Sequence, residues 1–269
     1  EPGKVTVTGN TFQQIEPYFE CDYKGKALTK SRTKVDMYVV QRIKPELSVN
    51  GEGLIPNSRF EEIKKLHHYS SIKYYKTEHH VMGILQKNLA SSLYYHSINH
   101  TKDVVKSVER IALLEGVTDE GLFLLKTAAI FHDAGFIEQY DHNEAIGARM
   151  AQEILPKYGY TEQHVKTIVE LIHATEIPHK PINKLQEIIC DADLDYLGRD
   201  DFEQIADNLR KELTEMGKIK SRKEWDTIQV KFLKQHQYFT TTAIESRQQK
   251  KDENLQVVLE RLAANHYSD

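Results

Sequence analysis

The chain predicts a mainly α-helical protein, a helical bundle preceded by a short N-terminal β-containing segment. Three observations carry that expectation. β-rich runs are confined to residues 1–46 of the 269, apolar residues recur at helical spacing from Arg59 onward, and turn-forming residues cluster between the two regions.

In the first region, Lys4-Val5-Thr6-Val7-Thr8 and Val35-Asp36-Met37-Tyr38-Val39-Val40 are rich in β-branched and aromatic residues that fit a pleated surface. Thr8-Gly9-Asn10 and Lys24-Gly25-Lys26 read as turns beside them. Pro45, residues 48–53 and Pro56-Asn57-Ser58 mark residues 47–58 as a linker, leaving 59–269 as the helical domain. Within it, Val104, Val105, Val108, Ile111 and Ala112 share one helical face. Residues 122–131 are almost continuously apolar, as a deeply buried helix requires, and Gly135 reads as its stop. Further helices are expected over 142–155, closed by Pro156, over 165–174, closed near Pro178, and over 184–197, closed by Gly198. Residues 201–264 continue as charged amphipathic helices interrupted around Gly217 and Ser221. There is no internal repeat.

The composition, 39% hydrophobic and 28% charged, is that of a globular domain. No apolar run approaches the roughly 20 residues of a membrane-spanning helix, which predicts a soluble protein without a membrane segment. With 36 basic and 40 acidic residues, a net charge of −4 supplies no global basic footprint for a nucleic-acid polymer. Cys21 and Cys190 match no zinc or redox spacing and read as free thiols in a reducing, cytoplasmic compartment. The chain opens Glu1-Pro2-Gly3, with no sign of a secretory signal, as a fragment of something longer would.

The chemistry lies in three segments. His132-Asp133 ends the apolar helix, where two coordinating groups are costly to bury without a metal or polar partner. His96 and His100 are four apart and share a helical face. In Cys190-Asp191-Ala192-Asp193-Leu194-Asp195, Asp191 and Asp195 share a face and Asp193 points elsewhere. Neutral imidazoles and carboxylates of this kind hold divalent metals that activate water while leaving positions open for a phosphate. His67-His68 and His79-His80 lack carboxylate partners at useful spacing and read as surface residues.

The order His, His-Asp, Asp over roughly residues 90–200 resembles the HD superfamily of metal-dependent phosphohydrolases. That resemblance implies metal ligation by His100, His132, Asp133 and Asp191. The string Tyr95-His96-Ser97, His100, Asp103-Val104 is also similar to the Tyr-His-Asn-x-x-His-x-x-Asp-Val segment of class I cyclic-nucleotide phosphodiesterases, which implies that His96 is the proton donor. Those enzymes continue His-Asp with a nearby His-Pro-Gly, whereas here Ala134-Gly135-Phe136 follows. His142 and His173 fall where binuclear HD enzymes acting on cyclic dinucleotides place two further histidines, although the Gly-Tyr-Pro signature of those enzymes is absent. This implies a second metal, with Asp133 bridging. Asp193 and Asp195 are expected to orient ligands or cap a helix. The nearest cations for a substrate phosphate are Lys102 and Arg199, with more in residues 231–240.

Residues 4–40, through Gly3-Lys4-Val5-Thr6-Val7-Thr8, Tyr23-Lys24-Gly25-Lys26 and Met37-Tyr38-Val39-Val40, resemble the last strands of class III adenylate and guanylate cyclase domains. Lys30 or Arg32 occupies the region of the phosphate-contacting Lys of that family. Its metal-binding aspartates would lie upstream of residue 1, so this piece alone is no working cyclase. The resemblance implies an upstream cyclase domain in the parent protein, a homodimer, and a nucleotide-type substrate.

Together these readings lead to the expectation of a phosphohydrolase, foremost a cyclic-nucleotide phosphodiesterase, with His96 and Asp133 catalytic and one or two divalent ions bound. Histidine and carboxylate ligands suit manganese, iron, zinc or magnesium. The alternatives are a nucleoside-monophosphate phosphatase and a non-catalytic nucleotide-sensing domain that regulates a cyclase.

Overall fold

The computed structural model describes residues 4–28, 34–117 and 119–267. Lys30 and Arg32 lie outside the described residues, as do the side chains of His67 and His68. The chain divides into two compact units, Glu1–Tyr69 and Ser70–Asp269.

The first unit holds β1 (Val5–Thr8), α1 (Gly9–Ile15), β2 (Phe19–Leu28) and β3 (Lys34–Ile43). The strands form an antiparallel sheet in the order β1-β3-β2, with Val5 opposite Val40 and Phe19 opposite Ile43. Both expected turns are absorbed differently. Thr8 becomes the residue that starts α1, and Gly25, at φ 92, sits inside β2 where the register with β3 shifts. Glycine adopts that left-handed backbone at a register shift without a Cβ penalty. Residues 47–58, expected as a linker, are folded. Ser48 bridges Pro56, the Ser48 hydroxyl accepts the Gly53 N–H at 2.8 Å, and Leu47 packs with Tyr18, Ile43 and Phe60. α2 (Ser58–Asn88) starts in this unit and ends in the second.

The second unit is helical as expected: α3 (Ile98–Leu114), α4 (Asp119–Phe131), α5 (Asn143–Ile154), α6 (Glu162–Ala174), α7 (Lys184–Asp193), α8 (Phe202–Glu215), α9 (Arg222–Gln235) and α10 (Thr241–Ala264). α4 is its central rod, since Phe123, Leu124, Leu125 and the run from Thr127 to Phe131 are all buried. A helix apolar on every side is stable only when surrounded. α3 lays Val104, Val108, Ile111 and Ala112 against it, and α6 adds Ile168, Leu171 and Ile172. A second apolar cluster joins Leu194, Tyr196 and Leu197 to Phe202, Trp225, Leu233 and Val258 of α8, α9 and α10.

Two local features differ from the sequence expectation and shape the site. α7 ends at Asp193 rather than continuing to 197, and a 3-10 turn, Asp195–Gly198, follows. Residues 236–240 break what looked like continuous helix, so that Thr240 caps α10 through its hydroxyl. Among the described residues, no helix is long and apolar enough to cross a membrane.

Candidate metal centre

The candidate ligands come from three helix ends that converge in the second unit. His100 lies in the first turn of α3, His132 and Asp133 directly follow α4, and Asp193 is the last residue of α7. Close backbone packing fixes the His132-Asp133 corner. A Cβ on Gly135 would overlap the Asn143 carbonyl, and one on Gly147 would overlap the Phe131 carbonyl, so α5 lies backbone-to-backbone against the end of α4. Gly135 is thus required for close approach rather than as a left-handed helix stop.

The ligand atoms form a compact figure. His100 Nε2 is 3.3 Å from His132 Nε2, and Asp193 Oδ1 is 3.2 Å from the first and 3.3 Å from the second. Two donors each about 2.1 Å from one ion are separated by roughly 3.0–3.4 Å, so this triangle has the dimensions of one face of a coordination shell. His100, His132 and Asp193 are the group that could hold an ion among the described residues. Asp133 Oδ2 lies 3.2 Å from each of the same two imidazole nitrogens, yet it is buried without a hydrogen-bond partner. An orphaned carboxylate oxygen facing two imidazoles fits the donor set of a cation.

Electrostatics agree with that fit. Burial opposes charge on His100, but Asp133 and Asp193 outweigh it and hold its pKa up at about 9. His132 is likewise raised against burial, by Asp133 and then Asp193. Burial would raise Asp133 and Asp193, yet the two imidazoles hold both carboxyls below their usual range. The cluster therefore needs positive charge between its carboxylates, which a divalent ion supplies while displacing the protons. The His132 Nδ1–H donates to the Ala129 carbonyl at 2.8 Å, which leaves Nε2 as the free lone pair.

His96 stands apart from the triangle at the wall of the adjoining cavity. Its Nδ1–H donates to Glu212 Oε1 at 2.5 Å, and Phe136 stacks on its ring at 3.9 Å. Glu212 is fully buried and also accepts the Tyr95 N–H and the Tyr140 hydroxyl. Burial would raise its carboxyl, but the His96 contact keeps it below the usual carboxylate range. The arrangement orients one imidazole edge and leaves the other for the cavity.

Several expected site residues are elsewhere. Asp191, expected at the metal, is two residues from Asp193 and so about 200° around α7. Its buried carboxylate accepts the Phe239 N–H at 3.0 Å, the Thr240 N–H at 2.7 Å and the Thr240 hydroxyl at 2.7 Å. It ties α7 to the start of α10, and Asp193 takes the place at the imidazoles. Asp195 accepts from Arg110 at 2.6 Å and Arg247 at 2.7 Å, so it is an ion-pair hub. His142 is exposed at the start of α5 in a left-handed backbone, and His173 is on the exposed side of α6. The group that could hold an ion includes neither. Arg199 is engaged by Asp103 and Asp201, both at 2.6 Å, outside the cavity beside the imidazoles. Lys102 is exposed and does not line that cavity either, while His79 and His80 are exposed as expected.

Sequence reasoning missed three residues. His179 Nε2 is 3.9 Å from Asp193 Oδ2 and donates to the Thr175 carbonyl, while its buried Nδ1 has no partner. No local spacing announces it. Glu212 and Gln229 did leave a signal, because each is a polar residue on the apolar face of an amphipathic helix, beside Leu209 and Leu213 or Trp225 and Leu233.

The family model of the HD domain matches residues 97–235. Bacillus subtilis YpgQ in complex with ADP is similar in structure at a TM-score of 0.53 and 16% identity, over 72% of this chain and 97% of that one. YpgQ in another crystal structure gives 0.52 and 16% over the same shares. A protein described as a predicted HD superfamily hydrolase, from an uncultured Thermotogales bacterium, gives 0.48 and 19%, over 69% of this chain and 91% of that one. No curated protein matches the chain.

Proposed function

The chain belongs to the HD-domain family, and from that membership we propose that it is a metal-dependent phosphohydrolase whose substrate is a nucleotide phosphate ester, foremost a cyclic nucleotide. The observation that carries the proposal is the nearly equilateral triangle of His100, His132 and Asp193 with the orphaned Asp133 oxygen beside it. The likeness to cyclase strands in residues 4–40 and the first His motif support the nucleotide part. The ADP complex of YpgQ adds that a protein of this fold can take a nucleotide.

His100, His132, Asp133 and Asp193 would hold the ion. Bound there, a divalent cation supplies Lewis acidity at the phosphoryl group and activates water. Asp133 would act in catalysis through its place at the ion, since its Oδ2 faces the two imidazole nitrogens and has no hydrogen bond to give up. His96, held by Glu212 and Phe136, donates a proton to the departing oxygen from its free edge. The apolar wall excludes bulk water and strengthens each of these interactions.

The test is phosphate-ester turnover on a panel of cyclic nucleotides, cyclic dinucleotides and nucleoside monophosphates, with protein assayed for bound metal. Metal-loaded protein is expected to turn over at least one class. Metal-loaded protein inert on all three would overturn the enzymatic reading and favour a nucleotide sensor. Turnover of nucleoside monophosphates alone would replace the phosphodiesterase by a nucleotidase.

A further inference from the structure

Beside the candidate metal centre lies a cavity of about 220 Å³, and its chemistry is unlike that of a polyphosphate site. Of the residues lining it, none is Lys or Arg, while Asp133, Glu144 and Asp193 line the side near the imidazoles. The Glu144 carboxyl is pushed above its usual range by burial, then by Asp133. The opposite side is apolar, built from Trp225, Phe232 and Leu233 of α9 and Leu209 and Leu213 of α8. One polar atom breaks that surface. Gln229 is only 6% exposed, lines the cavity one turn from Trp225, and its Oε1 has no hydrogen-bond partner. A buried amide oxygen left unpaired costs about 1–3 kcal/mol, which a ligand donor would recover.

We propose that this cavity receives the organic group of the substrate, an uncharged and largely apolar group that donates one hydrogen bond to Gln229, and so selects esters bearing a single phosphate over nucleoside di- and triphosphates. The inference rests on the phosphohydrolase reading and narrows its substrate class. Binding energy comes from burying the group against Trp225, Phe232 and the α8 leucines. Among the described residues no Lys or Arg lines the cavity, so a phosphate finds there only the bound ion and the imidazoles beside it. A second or third phosphate would find no Lys or Arg among the described lining residues and would face the Glu144 carboxyl.

Trp225 is the single tryptophan of the chain and is 4% exposed in the cavity wall, so its fluorescence reports occupancy without metal or turnover. In the full chain treated with chelator, adenosine is expected to change the Trp225 emission with a dissociation constant below about 1 mM. ATP should bind at least about tenfold more weakly. Gln229→Leu, close in shape, should weaken adenosine about three- to tenfold while leaving metal content and helical circular dichroism unchanged. ATP binding as tightly as adenosine, an emission unchanged by adenosine, or an undiminished affinity in Gln229→Leu would each overturn the proposal. Metal-dependent hydrolysis of bis(p-nitrophenyl) phosphate, measured separately, reports the underlying hydrolase reading, so the two failures are distinguishable.

Discussion

Replacing Asp191 and Asp193 one at a time separates two carboxylates that are neighbours in sequence and have different roles in the fold. Asp191→Asn keeps one acceptor oxygen, which at the Oδ2 position still serves Thr240 with its charge gone, but turns an N–H₂ toward the Phe239 N–H now held at 3.0 Å on Oδ1. Losing one or two hydrogen bonds to a charged acceptor costs about 2–4 kcal/mol. Burial already pushes the Asp191 carboxyl up to about 6, so relief of its charge offsets part of this and favours the lower end. The change also loosens Thr240, whose hydroxyl accepts the Ala243 N–H at 3.1 Å and caps α10. For a unit of this size each kcal/mol lowers Tm by roughly 2–4 °C, so a fall of roughly 4–15 °C is expected, with metal content unchanged in the folded protein. Asp193→Asn should leave Tm close to wild type and weaken metal binding at least about 100-fold. Thermal unfolding by circular dichroism and elemental analysis of the same preparations read both effects. If folded Asp191→Asn lost its metal and Asp193→Asn kept it, the assignment of Asp193 to the ion would be wrong.

His96→Ala should retain metal and lose about 10²–10⁴ in kcat, and normal turnover would remove His96 as the acid. Glu212→Gln keeps the shape of that pair but weakens its charge, and should shift the pH profile of kcat while metal content holds; an unmoved profile would show that Glu212 only packs. Gly135→Ala should destabilise by about 2–3 kcal/mol, because its methyl meets the Asn143 backbone, and unchanged chemical unfolding would contradict the close approach. Glu115 gives a pH dependence away from the centre. Thr242 first, against burial and with help from Lys184, lowers its carboxyl from 4.5 to about 2. A depressed carboxyl stabilises fully above its unfolded value, so that contribution should be lost as pH falls from 4.5 toward 2. Glu115→Gln should flatten the acid limb of stability in that window, and an identical limb would refute the linkage.

Most of the fold was legible because periodicity reports burial directly. The α4 run and the Val104, Val108, Ile111 stripe could be read from apolar spacing alone, and the structure buries both. His132 and Asp133 were legible for a different reason, since imidazole and carboxylate at an apolar helix end need a partner, while His100 came from the family's ligand order. Asp191 was placed at the ion by the family's ligand order, whereas in the structure it is Asp193 that meets the imidazoles. α7 stops at Asp193, and which of two aspartates two residues apart faces the imidazoles depends on that stop and on the Phe239–Thr240 segment that claims Asp191. That segment lies 48 residues away in sequence, beyond the reach of local pattern. His142 and His173 were placed by family order, which says nothing about exposure. Arg199 was read as a cation for the substrate phosphate, but Asp103 and Asp201 engage it, and only folding brings Asp103 to it.

The most direct measurement is turnover of the full chain on its phosphate-ester panel after chelation and again after reloading with Mn²⁺. The account predicts that chelation abolishes turnover, that reloading restores it with the ion held by His100, His132, Asp133 and Asp193, and that His132→Ala cannot be restored. Turnover that survives chelation, or that Mn²⁺ restores fully in His132→Ala, would contradict it.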